Sequence, residues 1–231
     1  MAKKGKLIVI DGTDGSGKAT QVELLAKALK KDGYIVKLLD FPEYYKNFFG
    51  KFIGHCLSVQ YYNWINIHPK IAAIAYAADR WESSDKIREW LQKGYLVLAN
   101  RYVSANQIHQ GGKIPDENER ASFLEWLDRM EHEVLKIQRP NLIIYLRVPV
   151  EISLELLLKK RATKNQSLGV GVKDTVEEDR TYLERSHETA NWLAMHQPNW
   201  RVIDCAGEGG MRTIEDIQSD VRRIVDEVVK G

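Results

Sequence analysis

Cysteine is scarce in this chain: 231 residues include two, Cys56 and Cys205, far apart in the sequence. A disulfide-stapled secreted fold needs more thiols, and a zinc site needs them at ligand-like spacing. Both cysteines are therefore expected to be inert reduced thiols. The six histidines are scattered, with no HxxxH or Cys/His pattern, so a protein-built zinc centre is not expected. Long apolar runs are missing too. After MAKKGK only Leu7 to Ile10 are strongly apolar before Asp11 interrupts them, and the longest later run, Ile71 to Ala78, is also short. A spanning helix needs about 20 apolar residues, and a signal peptide needs a longer N-terminal core. Excess charge of one sign is lacking as well: 34 Lys and Arg face 32 Asp and Glu, a net charge of +2. Neither a nucleic-acid-coating surface nor a membrane patch is indicated, and the cytoplasm is the expected compartment.

What the chain does have is enough apolar content, 44%, for one sizeable core. One domain over residues 1–231 is the expectation. Short β-rich runs alternate with helix-period stretches. Strands are predicted at Lys6 to Asp11, Tyr34 to Asp40, Tyr95 to Ala99, Leu142 to Leu146 and Arg201 to Asp204. Helices are predicted at Gly17 to Lys31, Ile71 to Lys93, Glu119 to Gln138, Ile152 to Arg161 and Ile214 to Val229. Five strands separated by helices imply an α/β fold of three layers, a five-stranded parallel sheet with helices on both faces. Ligands then gather at the carboxyl ends of the strands. The aperiodic QSLGVGVK, Gln166 to Lys173, reads as a mobile loop.

Directly after the first strand stands Gly12-Thr13-Asp14-Gly15-Ser16-Gly17-Lys18-Ala19-Thr20, which fits G-x-x-x-x-G-K. Glycines let main-chain N–H groups turn inward around phosphate oxygens, the next helix presents its positive end, and Lys18 brings a point charge to the outer phosphates. Ala19 occupies the place of the motif's Ser or Thr, whose hydroxyl ligates Mg2+. Mg2+ is therefore expected to be held mainly by ATP oxygens and water.

Three further segments concern an acceptor. Phe41-Pro42 closes the second strand. Tyr76 and Arg80 lie four apart on the long helix, so one face offers a ring to a base and a guanidinium to its carbonyl or phosphate; the alternative is a core aromatic and a surface charge. Asn100-Arg101-Tyr102 ends the third strand. Arg101 suits a bidentate clamp on a phosphate, while Asn106 and Gln110 carry amides able to read an imide edge or simply to cap a loop. His109 reads as a pocket wall.

Taken with GTDGSGKAT, these segments resemble the thymidylate kinase family, in order from about Leu7 to the C-terminal helix. The resemblance implies a P-loop NTPase-type fold with a mobile lid at about residues 159–177, ATP and dTMP as substrates, Mg2+ with the ATP, and a homodimer. It implies that Tyr76 stacks on thymine, Arg80 contacts the base, Phe41 and Pro42 border the nucleotide pocket, and Asp14 meets the acceptor's sugar hydroxyl. Gly15 places the chain with family members whose lid supplies the catalytic cations. Within Lys159-Lys160-Arg161-Ala162-Thr163-Lys164, Arg161 is then expected against adenine and Lys164 near the transferred group. Two departures weaken metal holding: Ala19, and Asn100 where the family has Asp, an amide that reaches a metal-bound water without adding charge. The arginine often found after the Pro is absent, since Glu43, Tyr44 and Tyr45 follow, so Arg101 carries the phosphate expectation. Another nucleotide kinase of this fold, or a regulator that binds nucleotide without turnover, is the competing reading.

Overall fold

A computed structural model describes residues 4–13, 15–58, 64–156, 180–207 and 210–230. Five parallel strands, β1 (Lys6–Gly12), β2 (Val36–Asp40), β3 (Leu96–Asn100), β4 (Leu142–Arg147) and β5 (Trp200–Asp204), form one sheet in the order β2-β3-β1-β4-β5. The near-continuous apolar run of β1 places it at the centre, because only a strand covered on both faces tolerates such a run. Its side chains alternate accordingly. Ile8 and Ile10 join a core with Val22, Leu25 and Leu29 of α1 (Lys18–Lys31) and Val221 and Val225 of α8 (Ile214–Lys230). Leu7 and Val9 face the opposite core, where Ala73 and Ala77 of α3 (Pro69–Glu82), Ile108 of α5 (Val103–Gly111), Phe123 of α6 (Glu117–Asp128) and Leu193 of α7 (Arg180–His196) pack. The expected fold class therefore holds.

The helix expected from Ile71 to Lys93 is two helices, α3 and α4 (Ser84–Gln92), divided at Ser83. Ser83 N–H turns back to the Arg80 carbonyl, and its hydroxyl donates to Glu43 Oε2 at 2.5 Å. Serine readily offers such competing bonds, and here they divert the chain. The helix expected from Glu119 to Gln138 passes after Asp128 into a π-helical turn, Arg129–Val134. Periodicity did not reveal α2 (Phe48–Leu57), α5 or α7. Gly50 and Gly54 weaken α2 intrinsically, yet Gly50 is needed, because an added Cβ would collide with the Glu43 carbonyl. Residues 150–156 are helical; the remainder of the helix expected to Arg161, the expected lid with Arg161 and Lys164, and Asp14 lie outside the described residues.

Candidate active site

The turn between β1 and α1 is shaped by glycine. Gly15 and Gly17 have φ of 83° and 82°, which side chains rarely adopt. At Gly12 a Cβ would meet Ser16 Oγ at 2.5 Å and the Leu146 carbonyl at 2.8 Å. Gly17, the N-cap of α1, has no side chain to cap the helix start, and a helix N-terminus of this kind suits an anion. Lys18 arches back over this turn, its Nζ donating to the carbonyls of Gly12 at 3.1 Å and Thr13 at 2.9 Å. The hydroxyls of Thr13 and Ser16 are buried without a described partner. Each such group costs about 1–3 kcal/mol, which a ligand oxygen can offset. Ala19 and Thr20 are exposed on the first turn.

Parallel pairing sets the next groups beside this cradle. Ile10 lies opposite Asn100, and Asn100 opposite Asp40, so β2 and β3 end level with Ile10, two residues before the end of β1. Asp11 is fully buried and accepts from the Gly12 N–H at 2.8 Å and from the Ser104 hydroxyl at 2.5 Å. Asn100 Nδ2 donates to Asp40 Oδ1 at 2.8 Å, while Asn100 Oδ1 is buried without a described partner. Asp40 reaches solvent, but partial burial still pushes its carboxyl above the usual range against the pull of Asn100, Arg101, Lys46 and Lys18. Among the described residues no group of three His, Cys, Asp or Glu converges to hold a metal. The oxygens of Asn100 and Asp40 nevertheless suit the water shell of a hard cation that arrives with a nucleotide.

Arg101 follows with φ of 62°, a left-handed conformation costing about 1–2 kcal/mol outside glycine. Its N–H donates to Ile10 of the central strand at 3.1 Å, and Nη1 lies 2.6 Å from His109 Nε2. Arginine only donates, so the imidazole accepts here and any proton it carries sits on Nδ1. The His109 ring stacks on Tyr182 of α7, centroids 5.9 Å apart and planes 15° apart. His109 thus steadies Arg101.

The neighbouring cluster of predicted acceptor residues is carried by α3 and α5. The Tyr76 hydroxyl accepts from Trp64 Nε1 at 3.0 Å, with the two rings edge to face at 6.2 Å. Arg80 is buried, which removes the surface-charge alternative; it pairs with Glu131 through two nitrogens. Asn106 is bonded to the same Glu131 and to the Ala73 carbonyl rather than capping its loop. Gln110 is buried with Oε1 lacking a described partner. Phe41 is buried 5.6 Å from the Tyr102 ring and joined to Pro42 by a cis peptide. The following loop is held rigidly: Asp79 accepts from the Glu43 N–H at 3.2 Å and from Asn47 Nδ2 at 2.7 Å. Burial pushes the Glu43 carboxyl up, but Ser83 and Lys86 outweigh it and hold it below its ordinary range.

Thus Lys18, the cradle, Arg101, Tyr76, Arg80, Asn106 and Gln110 occupy the carboxyl side of one sheet and its neighbouring helices. Asp40, Glu131 and Tyr182 were not anticipated. Asp40 follows four sheet residues of β2 and carries no motif; Glu131 and Tyr182 lie far along the chain from what they touch, and only contact reveals them.

A glycine turn from the central strand into a helix, with arginine at the end of the neighbouring strand, defines a P-loop phosphotransferase of the nucleotide kinase type. The sequence model of the family described as thymidylate kinase matches residues 10–219. A thymidylate kinase of Plasmodium falciparum is 29% identical over 99% of this chain and 91% of its own length. A probable thymidylate kinase of Thermococcus onnurineus is 30% identical over 95% and 96%. In structure, a thymidylate kinase from Candida albicans superposes with a TM-score of 0.69 at 22% identity, covering 97% of this chain and 92% of that one. The chain belongs to the thymidylate kinase family, whose members are ATP-dependent phosphotransferases.

Proposed function

We propose that this protein transfers the γ-phosphoryl group of ATP to dTMP, giving ADP and dTDP. The observation carrying this reading is the strand register that sets the phosphate cradle beside Arg101: Ile10 pairs with Asn100, and the Arg101 N–H bonds to Ile10. A donor phosphate chain at the glycine-shaped start of α1 then faces an acceptor phosphate held by Arg101. Lys18 balances charge on the outer phosphates, and the acceptor phosphate oxygen attacks in line, so the protein's work is positioning and charge neutralisation. Tyr76 lies along the base, while Arg80, Asn106 and Gln110 read its edge. Asp14 meets the sugar hydroxyl, Arg161 the adenine and Lys164 the transferred group, as the family resemblance implies. Asn100 and Asp40 would hold the water shell of a nucleotide-bound Mg2+, which would supply charge neutralisation.

The protein works in the cytoplasm as a homodimer in this reading. Ile71, Ile74 and Trp81 run along one side of α3 and are exposed, as are Phe48 and Phe52 of α2. That is an apolar stripe of the kind a second copy covers. None of the described helices is long and apolar enough to cross a membrane. The test is ADP release from ATP with dTMP, dUMP, dCMP, dGMP or AMP, with and without Mg2+. Metal-dependent dTDP formation, fastest with dTMP, is expected; tight ATP binding without dTDP overturns the reading.

A further inference from the structure

Glu131 belongs to none of the motifs that mark the site, yet it organises the pocket. It sits on the π-helical turn after α6 and is 1% exposed, with Arg80 and Asn106 at 2%. Arg80 donates Nε to Oε2 at 2.9 Å and Nη2 to Oε1 at 2.6 Å. Asn106 donates Nδ2 to the same Oε1 at 2.9 Å and to the Ala73 carbonyl at 3.0 Å. A buried pair of this kind adds little net stability, because desolvating both charges costs about as much as their attraction returns. Its consequence is orientation.

A carboxylate and a main-chain carbonyl only accept hydrogen bonds. The Asn106 amide nitrogen, set between them, commits both of its hydrogens to the protein, and turning the amide over would bring oxygen against oxygen twice. Oδ1 is therefore the atom left for a ligand. On Arg80, Nε and one hydrogen of Nη2 are committed, while Nη1 keeps both of its own. The pair offers an acceptor alongside a donor. A pyrimidine with an imide edge, N3–H next to C4=O, matches that order. One with an amidine edge, an N3 lone pair next to a 4-amino group, opposes it at both points.

We propose that Glu131 is a positioning residue that sets the choice of imide over amidine pyrimidines, by locking the Asn106 amide in one orientation and fixing the Arg80 fork. The proposal rests on the acceptor reading above and deepens it. It requires no contact between Glu131 and the nucleotide.

The experiment compares kcat/KM for dTMP and 5-methyl-dCMP, which differ only along this edge, in the wild type, Glu131→Gln and Glu131→Asp. A site built on paired hydrogen bonds rejects the mismatched analogue by about 10⁴-fold. The Gln side chain has the same shape but brings an N–H, which removes one of the two oxygen contacts that oppose a turned-over Asn106 and leaves only the Ala73 carbonyl against it. We expect its dTMP preference to fall at least tenfold. The Asp side chain is shorter but accepts only, and is expected to retain more of the preference than Gln. Both substrates are measured on one preparation, so the ratio is independent of the folded fraction. An unchanged ratio in Glu131→Gln overturns the proposal, as does an equal loss in both variants, which would show that side-chain volume rather than the acceptor matters. A wild type that forms dTDP without preferring dTMP overturns it while leaving the kinase reading intact. A wild type that forms no dTDP overturns both.

Discussion

The two ends of the site are built differently. The phosphate cradle is made of backbone, from residues adjacent in sequence, and side chains enter it chiefly through Lys18. The proposed acceptor side is made of side chains from separate segments: Arg80 and Glu131 are 51 positions apart, and Asn106 and Glu131 are 25 apart. A backbone cradle keeps its N–H donors through a change such as Ala19, because those donors belong to every residue. A pocket of interlocked side chains does not, because each group fixes the atoms its neighbour presents. On the proposed reading, donor binding would rest on shared backbone geometry and acceptor recognition on individual side chains.

That contrast can be tested in order of expected effect. Lys18→Ala should lower kcat by about 10²–10³-fold, the usual loss when one charge-stabilising donor is removed. Steady-state kinetics should show the KM for dTMP within about threefold of the wild type if the two ends are energetically separate; a tenfold change, about 1.4 kcal/mol, would break the comparison.

The scaffold of the acceptor side should depend on pH through Glu43. Its carboxyl lies below its ordinary 4.5 in the folded protein, so its contribution to stability is complete above that value and is lost as pH falls through the lower folded one. Glu43→Gln should cost about 2 kcal/mol near pH 7, and the difference in Tm from the wild type should shrink on approaching pH 4. A gap that is constant with pH would show that the carboxylate charge is not what holds the loop.

Between the ends stands Asp40, paired with Asn100 and influenced by Lys18 and Arg101. Asp40→Asn should raise the Mg2+ concentration for half-maximal rate by about threefold, under 1 kcal/mol, with little effect on ATP binding measured without metal. An unchanged Mg2+ titration would leave Asp40 as a partner of Asn100 alone and sharpen the boundary between cradle and pocket.

Much of the fold could be read directly. All five strands stood where short β-rich runs suggested, because buried parallel strands leave a continuous apolar signature. The helices that escaped are instructive. In α5 the sequence VSANQIHQG turns polar residues toward the site instead of an apolar stripe toward the core, so function masks the period. In α2 two glycines satisfy tight packing at the expense of helix propensity. Ser83 breaks the long helix for the sake of a bond to Glu43, a residue 40 positions earlier, which no local pattern encodes.

By itself, the sequence determined the cradle and the class of chemistry, since a glycine turn with its lysine is specified by residues in a row and acts through the backbone they shape. Only the tertiary structure decided that Arg80 is buried against Glu131, that Asn106 presents oxygen rather than nitrogen, and that Asp40 lies beside Asn100. These are relations between side chains brought together by strand register and helix packing, and hydrogen-bond donors and acceptors acquire direction only once their partners are in place.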